Sequence, residues 1–272
     1  MSEIIVLTGA AGCLGHHVLK LLLSRDHQVG EVRCLDLKEP EELMRTQIEA
    51  ELERLETAGD RKKEKKRIEW IKGDVRDINV VERTIAGADC IIHCAAKMEF
   101  WKYETTPDED QELESINVGG TENLLKAAVR LGVPKFVHVS SYEVFMCLIP
   151  LYYATEITLP ENSRLLFGTS ASTKKLAEEK VRQYSNNKLL KPARDGRDSL
   201  NAVIVRFPQL YGEFEKYNIP HHLEVAKFFG RKLHRFSNIW IRQQPIYVEN
   251  AAWSLIKAKQ RMDVDQSISG EG

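Results

Sequence analysis

Long hydrophobic runs are what the sequence most clearly lacks. Its longest apolar-looking stretch, MCLIPLYYA at 146–154, is interrupted by Pro150, whereas a membrane-spanning helix needs ~18–20 consecutive apolar residues. No membrane span is therefore expected in this chain. Charge of one sign is equally scarce: 39 Lys and Arg face 40 Asp and Glu, a formal net charge of -1. That balance excludes a global field favouring nucleic acid or an anionic membrane. Cysteine is sparse and odd in number, five residues at 13, 34, 90, 94 and 147, mostly within apolar strand-like runs. Such spacing fits reduced thiols inside a cell better than a disulfide framework. Cys90 and Cys94 have no second CxxC or HExxH to complete a metal site, so packed thiols and no metal are expected. No basic n-region or cleavable apolar segment precedes the strand-like MSEIIVLTG, so a secretory leader is not expected and a cytoplasmic location is.

What the sequence does have is alternation. With 272 residues, 43% of them hydrophobic and 29% charged, the chain can bury one substantial core. Short β-branched runs take turns with longer amphipathic ones. IIVLTG precedes a helix from about 15, EVRCLDL a helix near 41–56, and RIEWIKGDV a helix running to about 86. ADCIIHCAA precedes a helix over 113–131, KFVHVSS a long loop and a helix over 174–184, and NAVIVRFP follows. The pattern predicts βαβ units, and so an α/β fold with a doubly wound parallel sheet and helices on both faces. Softer signals place a helix over 221–229, a strand-to-helix entry at QQPIYVEN and an amphipathic helix over 251–261. The charged stretch 39–67, with RKKEKKR, reads as a solvated helix and loop, because acidic residues interleave and no aromatics accompany it.

The strongest local signal is TGAAGCLG at 8–15, which sets Gly9, Gly12 and Gly15 between an apolar strand and an amphipathic helix. Small residues let the turn tighten and a pyrophosphate approach the backbone, while the N-terminus of the helix at Cys13 and Leu14 offers unpaired N–H groups. Asp36 follows at the end of the second strand, where a carboxylate can accept hydrogen bonds from an adenosine ribose and repels a 2′-phosphate. NAD is thus favoured over NADP, with Lys38 close by as a partial offset. Asp74, in GDVRD, could reach an adenine amino group. HCAA at 93–96 ends the fourth strand with small side chains, Ala95 among them, where bulk would block a cofactor lying over the strand ends. His93 itself is expected to be a buried strand residue and not a base or ligand. Asn117 sits early in an apolar-striped helix, its amide able to hold a water or a backbone carbonyl. Ser140 and Ser141 end the KFVHVSS strand at the same edge, where a hydroxyl can hydrogen-bond a substrate oxygen.

Taken together, TGAAGCLG, Asp36, GDVRD, HCAA, NVGGTENLL, KFVHVSSYEVF, KKLAEEKV, VRFPQLYG and QQPIYVENAAW resemble the extended short-chain dehydrogenase/reductases. More narrowly, they resemble the 3β-hydroxysteroid dehydrogenase/isomerase family. The resemblance implies one Rossmann-type NAD-binding domain over 1–272, with a C-terminal substrate-binding part largely missing. It implies NAD as cofactor, a sterol-like secondary alcohol or ketone as substrate, and Phe100, Trp101, Phe145, Leu148 and Phe167 as candidates to line an apolar cleft. A homodimer through the helices over 113–131 and 174–184 is a further implication, as is a place at the endoplasmic reticulum surface if a longer chain carries the family's anchor.

The same resemblance assigns Ser141 to the substrate oxygen, Lys174 to the nicotinamide ribose, and a proton-exchanging tyrosine to the position four residues before Lys174. Ser170 stands there instead. A phenol with a pKa of ~10 can be drawn toward neutrality by a neighbouring ammonium, and an aliphatic hydroxyl cannot. Two expectations follow: an NAD-dependent oxidoreductase in which Ser170, a water, or Tyr142, Tyr152 or Tyr153 serves the proton, or an NAD-binding sensor or interaction protein without turnover.

Overall fold

Strands and helices do alternate along the chain. The computed structural model describes residues 2–57, 66–98, 106–145, 168–232 and 244–269. Its elements begin with β1 (Glu3–Thr8), α1 (Cys13–Arg25), β2 (Val29–Asp36), α2 (Glu42–Thr57), β3 (Arg67–Lys72), α3 (Ile78–Ile85) and β4 (Cys90–His93). There follow α4 (Pro107–Glu114), a π-helical turn Ser115–Gly120, α5 (Thr121–Leu131), β5 (Lys135–Ser141), a 3₁₀ turn Tyr142–Phe145 and α6 (Gly168–Tyr184). The chain then forms β6 (Asn201–Phe207), β7 (Leu210–Tyr211), α7 (Asn218–Phe228), β8 (Ile246–Tyr247) and α8 (Val248–Ser269).

Several helices run longer than their apolar stripes announce. α4 begins ahead of the expected 113 because Thr106 and Glu109 form a capping box and Pro107 occupies the first turn, which together satisfy the free N–H groups at a helix start. α6 begins ahead of Lys174 at Gly168, its first turn anchored by the fully buried Ala171. α8 likewise extends beyond 251–261 in both directions.

The six strands order as β3-β2-β1-β4-β5-β6, and each neighbouring pair is parallel. Strand order reverses between β1 and β4, so a crevice opens outside their C-terminal ends, where ligands of doubly wound sheets bind. Both faces are covered, which is why the strands read as nearly continuous apolar runs. Along β1, Ile5 and Leu7 enter the core shared with α1 and α8, while Val6 enters the one shared with α3 and α5. β4 divides the same way, with Cys90 and Ile92 on one face and Ile91 on the other. No described helix is long and apolar enough to cross a membrane.

At the N-terminal end of the sheet, away from the crevice, a buried ion cluster pins α8 to the strands. Lys135 Nζ lies 2.5 Å from Glu3 and 2.7 Å from Asp263, and Lys259 Nζ, 0% exposed, lies 2.9 Å from Asp26 and pairs with Glu3 as well. Buried cations of this kind persist only with carboxylates around them.

Candidate functional site

The crevice is built outward from the glycine turn. Gly9 has φ 71, and a Cβ there would lie 2.7 Å from Ala95 N, so the turn approaches the end of β4 at a distance only glycine permits. A Cβ on Gly15 would come within 2.0 Å of Gly9 O, whereas one on Gly12 would meet the same oxygen at 3.2 Å. Helix α1 starts directly afterwards with Gly12 at its N-cap and no capping side chain. Its first N–H groups therefore face the crevice without a side-chain partner, as anion-binding helix starts do. Cys13 opens that helix, half-buried, and burial pushes its thiol up to about 12, so it is no thiolate. Leu14 packs into the core beneath.

Asp36 closes the turn from the end of β2: its Oδ2 accepts from Ala11 N at 2.9 Å and its Oδ1 from Lys38 N at 3.0 Å. A carboxylate has about four acceptor positions, so about two are left for the hydroxyls of a ribose. Asp74 differs from expectation. Its carboxylate, expected at an adenine amino group, is turned back on its own loop, accepting from Arg76 Nε at 2.8 Å, Nη2 at 2.6 Å and the Arg76 backbone N at 2.8 Å. The Arg76 hydrogen bonds hold it below the usual carboxylate range. The i,i+2 pairing in GDVRD was the signal available in the sequence.

His93 is fully enclosed, its ring held between the hydroxyls of Thr8 and Thr121. Ala95 N in turn donates to Thr8 Oγ1 at 3.2 Å, which ties the end of β4 to β1. Asn117 lies in the π-helical turn, and its amide clamps three segments: Oδ1 accepts from Lys97 N at 2.8 Å, and Nδ2 donates to Lys97 O at 2.9 Å and Thr173 Oγ1 at 3.0 Å. The π turn swings Asn117 toward α6, a use such turns often have at functional sites.

Ser141, Lys174 and Ser170 are brought to the end of β5 by β5 itself and by the first two turns of α6. Lys174 is buried and its Nζ donates to Val139 O at 3.1 Å. Burial lowers its ammonium to about 8, opposed by Cys94, Glu143 and Glu178. Ser141 Oγ accepts from Glu143 N at 3.3 Å. Ser170 offers its carbonyl to Thr173 Oγ1 at 2.9 Å, while its own Oγ is enclosed without a hydrogen-bond partner. Ser140 is buried behind Ser141. Tyr142 is half-buried, and burial together with Glu143 raises its phenol further above 10.0. Phe145 carries the Arg206 guanidinium 4.3 Å over its ring. Phe100, Trp101, Leu148, Tyr152, Tyr153 and Phe167 lie outside the described residues.

Sequence reasoning passed over three participants. Glu143 stands out in the sequence only as part of KFVHVSSYEVF, and Thr173 falls one residue ahead of the helix expected over 174–184. The loop that follows β7 was not singled out, yet it straps the glycine turn: Glu213 O accepts from Cys13 Sγ at 3.3 Å and from His17 Nε2 at 3.2 Å, and Glu213 Oε1 from Gln47 Nε2 at 2.7 Å. The adjacent glycine-glutamate pair in LYGEF was its one visible trace. Cys90 and Cys94 are free thiols that burial raises to about 12, and no described cluster of ligating side chains could hold a metal.

Comparison with known proteins agrees with this geometry. The chain is 28% identical over 258 residues to a 3 beta-hydroxysteroid dehydrogenase/Delta 5-->4-isomerase of vaccinia virus (strain Copenhagen), covering 93% of this chain and 65% of that protein. It is 26% identical to the 3 beta-hydroxysteroid dehydrogenase type 7 of Mus musculus, over 97% of this chain and 65% of the relative. It thus spans about two thirds of the length of these curated relatives. Among solved structures, the UDP-glucuronic acid 4-epimerase of Bacillus cereus, in complex with UDP-glucuronic acid and NAD, superposes with TM-score 0.68 at 22% identity, covering 94% of this chain and 72% of that one. The dTDP-glucose 4,6-dehydratase DesIV of Streptomyces venezuelae, with NAD and TYD bound, superposes with TM-score 0.65 at 23% identity, over 92% and 69%. These structures share the doubly wound parallel fold of this chain. A family model matches residues 6–271, and with the glycine turn, Asp36, Ser141 and Lys174 assembled at one crevice, the chain belongs to the 3-beta hydroxysteroid dehydrogenase/isomerase family.

Proposed function

We propose that the chain binds NAD in the crevice between β1 and β4 and acts as an oxidoreductase on a bulky, sterol-like secondary alcohol or its ketone. The observation that carries this is the placement of Lys174, a buried ammonium fixed to Val139 O beside Ser141. The glycine turn fits a dinucleotide: it closes so tightly that a Cβ at Gly9 or Gly15 would strike neighbouring backbone, and Asp36 keeps acceptor positions for ribose hydroxyls. In this reading Gly9, Gly12, Gly15 and the N-terminus of α1 hold the pyrophosphate, Asp36 the adenosine ribose and Lys174 the nicotinamide ribose, while Ala95 leaves room over β4. NAD, when bound, supplies the acceptor or donor of hydride. Ser141 orients the reacting oxygen by hydrogen bonding. The cytoplasm, where free cysteines stay reduced, is the compartment we assign, and a homodimer through α5 and α6 belongs to the same proposal.

A second reading has its own support. Ser170 stands where the family's tyrosine belongs, and its enclosed hydroxyl is too weak an acid to exchange a proton at neutral pH. In that reading the chain binds NAD as a sensor or interaction protein and turns nothing over. One titration with NADH fluorescence, followed by an assay with NAD and a 3β-hydroxysteroid on wild type and Ser170→Tyr, separates the two. Turnover by wild type supports the enzyme; activity only in Ser170→Tyr supports the sensor; absence of NADH binding at millimolar concentration sinks both.

A further inference from the structure

We propose that Glu143 holds and releases the proton in place of the absent phenol, acting through the hydroxyl of Ser141. The inference rests on the oxidoreductase reading above. The 3₁₀ turn Tyr142–Phe145 continues directly from β5, so Glu143 stands just past Ser141 at the strand's C-terminal end. It is 8% exposed, unusual for a carboxyl. Its backbone N–H donates to Ser141 Oγ at 3.3 Å, which fixes the turn against Ser141, and the Ser141 hydroxyl is near enough to act on its carboxyl.

Among the described residues, two other titratable groups act on it or on its turn. Lys174 faces it from α6, and Tyr142 from its own turn. Burial raises the Glu143 carboxyl toward neutrality, and Lys174 and Ser141 check the rise. Glu178, also buried beside Lys174, is different: Arg206 binds it at 2.6 and 2.7 Å and Arg182 at 2.8 Å, which together hold it ionised. Tyr142 is driven the wrong way, above 10.0. Among these groups Glu143 combines burial in the turn bonded to Ser141 Oγ with a carboxyl raised by that burial, the condition for efficient acid–base work.

The step balances. In oxidation the substrate O–H bond breaks and its proton passes to Ser141 Oγ, while the proton of Ser141 forms a new O–H bond on the Glu143 carboxylate. The two electrons of the carbinol C–H bond leave as the hydride taken up by oxidised dinucleotide, and a ketone results. Glu143 then returns its proton to water. Reduction is the reverse, with Glu143 starting protonated.

The test uses the full chain as wild type, Glu143→Gln and Glu143→Asp, with NADH fluorescence, infrared titration of the carboxyl band, and the pH profile of 3β-hydroxysteroid oxidation. The expected result is a protonated-carboxyl band that titrates above the ordinary glutamate range in wild type and is lost in Glu143→Gln. NADH affinity should stay within about twofold. The oxidation rate should rise with pH as the carboxyl ionises; Glu143→Gln should lose about 10²-fold in kcat and the rising limb with it, and Glu143→Asp should recover part of the rate with a displaced limb. If Glu143→Gln keeps rate and limb, if wild type shows no such band, or if wild type binds NADH but oxidises no steroid, the proposal is overturned. Should Glu143→Gln not fold, the wild-type band and the Glu143→Asp limb decide alone, and an unmoved limb overturns it. Failure of wild type to bind NADH would instead bring down the oxidoreductase reading itself.

Discussion

His93 donates from Nε2 to Thr121 Oγ1 at 2.9 Å, because the hydroxyl proton of Thr121 is already given to Asn117 O at 2.6 Å. On the other side Thr8 Oγ1, which accepts from Ala95 N, gives its proton to His93 Nδ1 at 2.7 Å. The network defines a neutral imidazole with its hydrogen on Nε2, and a second proton would have no acceptor. Burial and Lys174 lower the ring to about 3. The unfolded chain then binds the extra proton between about 6.5 and 3 while the folded one does not, so stability is full above 6.5 and falls on acidification. His16, His17 and His138 are lowered as well and act in the same direction. Urea midpoints should decline across this window, and His93→Phe should flatten the decline while lowering the neutral-pH stability by about 1–3 kcal/mol, since Thr8 loses its acceptor.

Lys174 acts with the same sign at alkaline pH. Its folded value of about 8 lies below the ordinary lysine value of 10.5, so the unfolded chain binds more protons between those two and stability rises with pH across that interval. Lys174→Met should abolish this alkaline rise in denaturation curves and weaken NADH binding, the first without any cofactor present. A variant that keeps the rise would show that another group produces it.

Within the glycine turn the expected costs are ranked by geometry. Gly15→Ala places its Cβ 2.0 Å from Gly9 O and Gly9→Ala sets one 2.7 Å from Ala95 N at φ 71, whereas Gly12→Ala meets Gly9 O at 3.2 Å. Thermal melts and NADH titration should show Gly15→Ala and Gly9→Ala losing both fold stability and binding, with backbone strain at Gly9 alone worth about 1–3 kcal/mol. Gly12→Ala should be the mildest of the three.

At the far end of the sheet, Lys259→Met would leave Glu3 and Asp26 enclosed without that cation. Removing one partner from a buried pair costs about 3–5 kcal/mol. Chemical denaturation should register that loss while NADH affinity of the folded fraction is unchanged, because the cluster lies opposite the crevice.

The sequence was most informative where a backbone constraint has a single solution. Only glycine serves at Gly9 and Gly15, and only a strand-end carboxylate at Asp36 closes the turn, so spacing alone marked them. The sheet was legible for a related reason: strands buried on both faces must read as apolar runs. The binding of Asp74 by Arg76 within its own loop was not legible, because side-chain direction at a strand end leaves no periodic trace. Glu143 looked like any turn glutamate; its burial depends on α6 packing over the 3₁₀ turn. The π turn at Asn117 escaped for the same reason, since a one-residue change of helical register is hidden within a continuous apolar stripe. The ion cluster joins Glu3, Asp26, Lys135, Lys259 and Asp263 across most of the chain, a separation no local pattern reports.

The packing of α8 against α1 also sets how the chain must acquire its structure. One of the two cores is lined by β1 and α1 from the beginning of the sequence and by Val248, Ala251, Ala252, Leu255 and Ile256 from α8. Until α8 is made, the part of α1 that packs against it has no cover, and the sheet beneath needs parallel pairings as distant as β1 with β4. Such non-local contacts slow folding and leave intermediates prone to aggregate. A chain of this design is thus committed late, when α8 closes over α1.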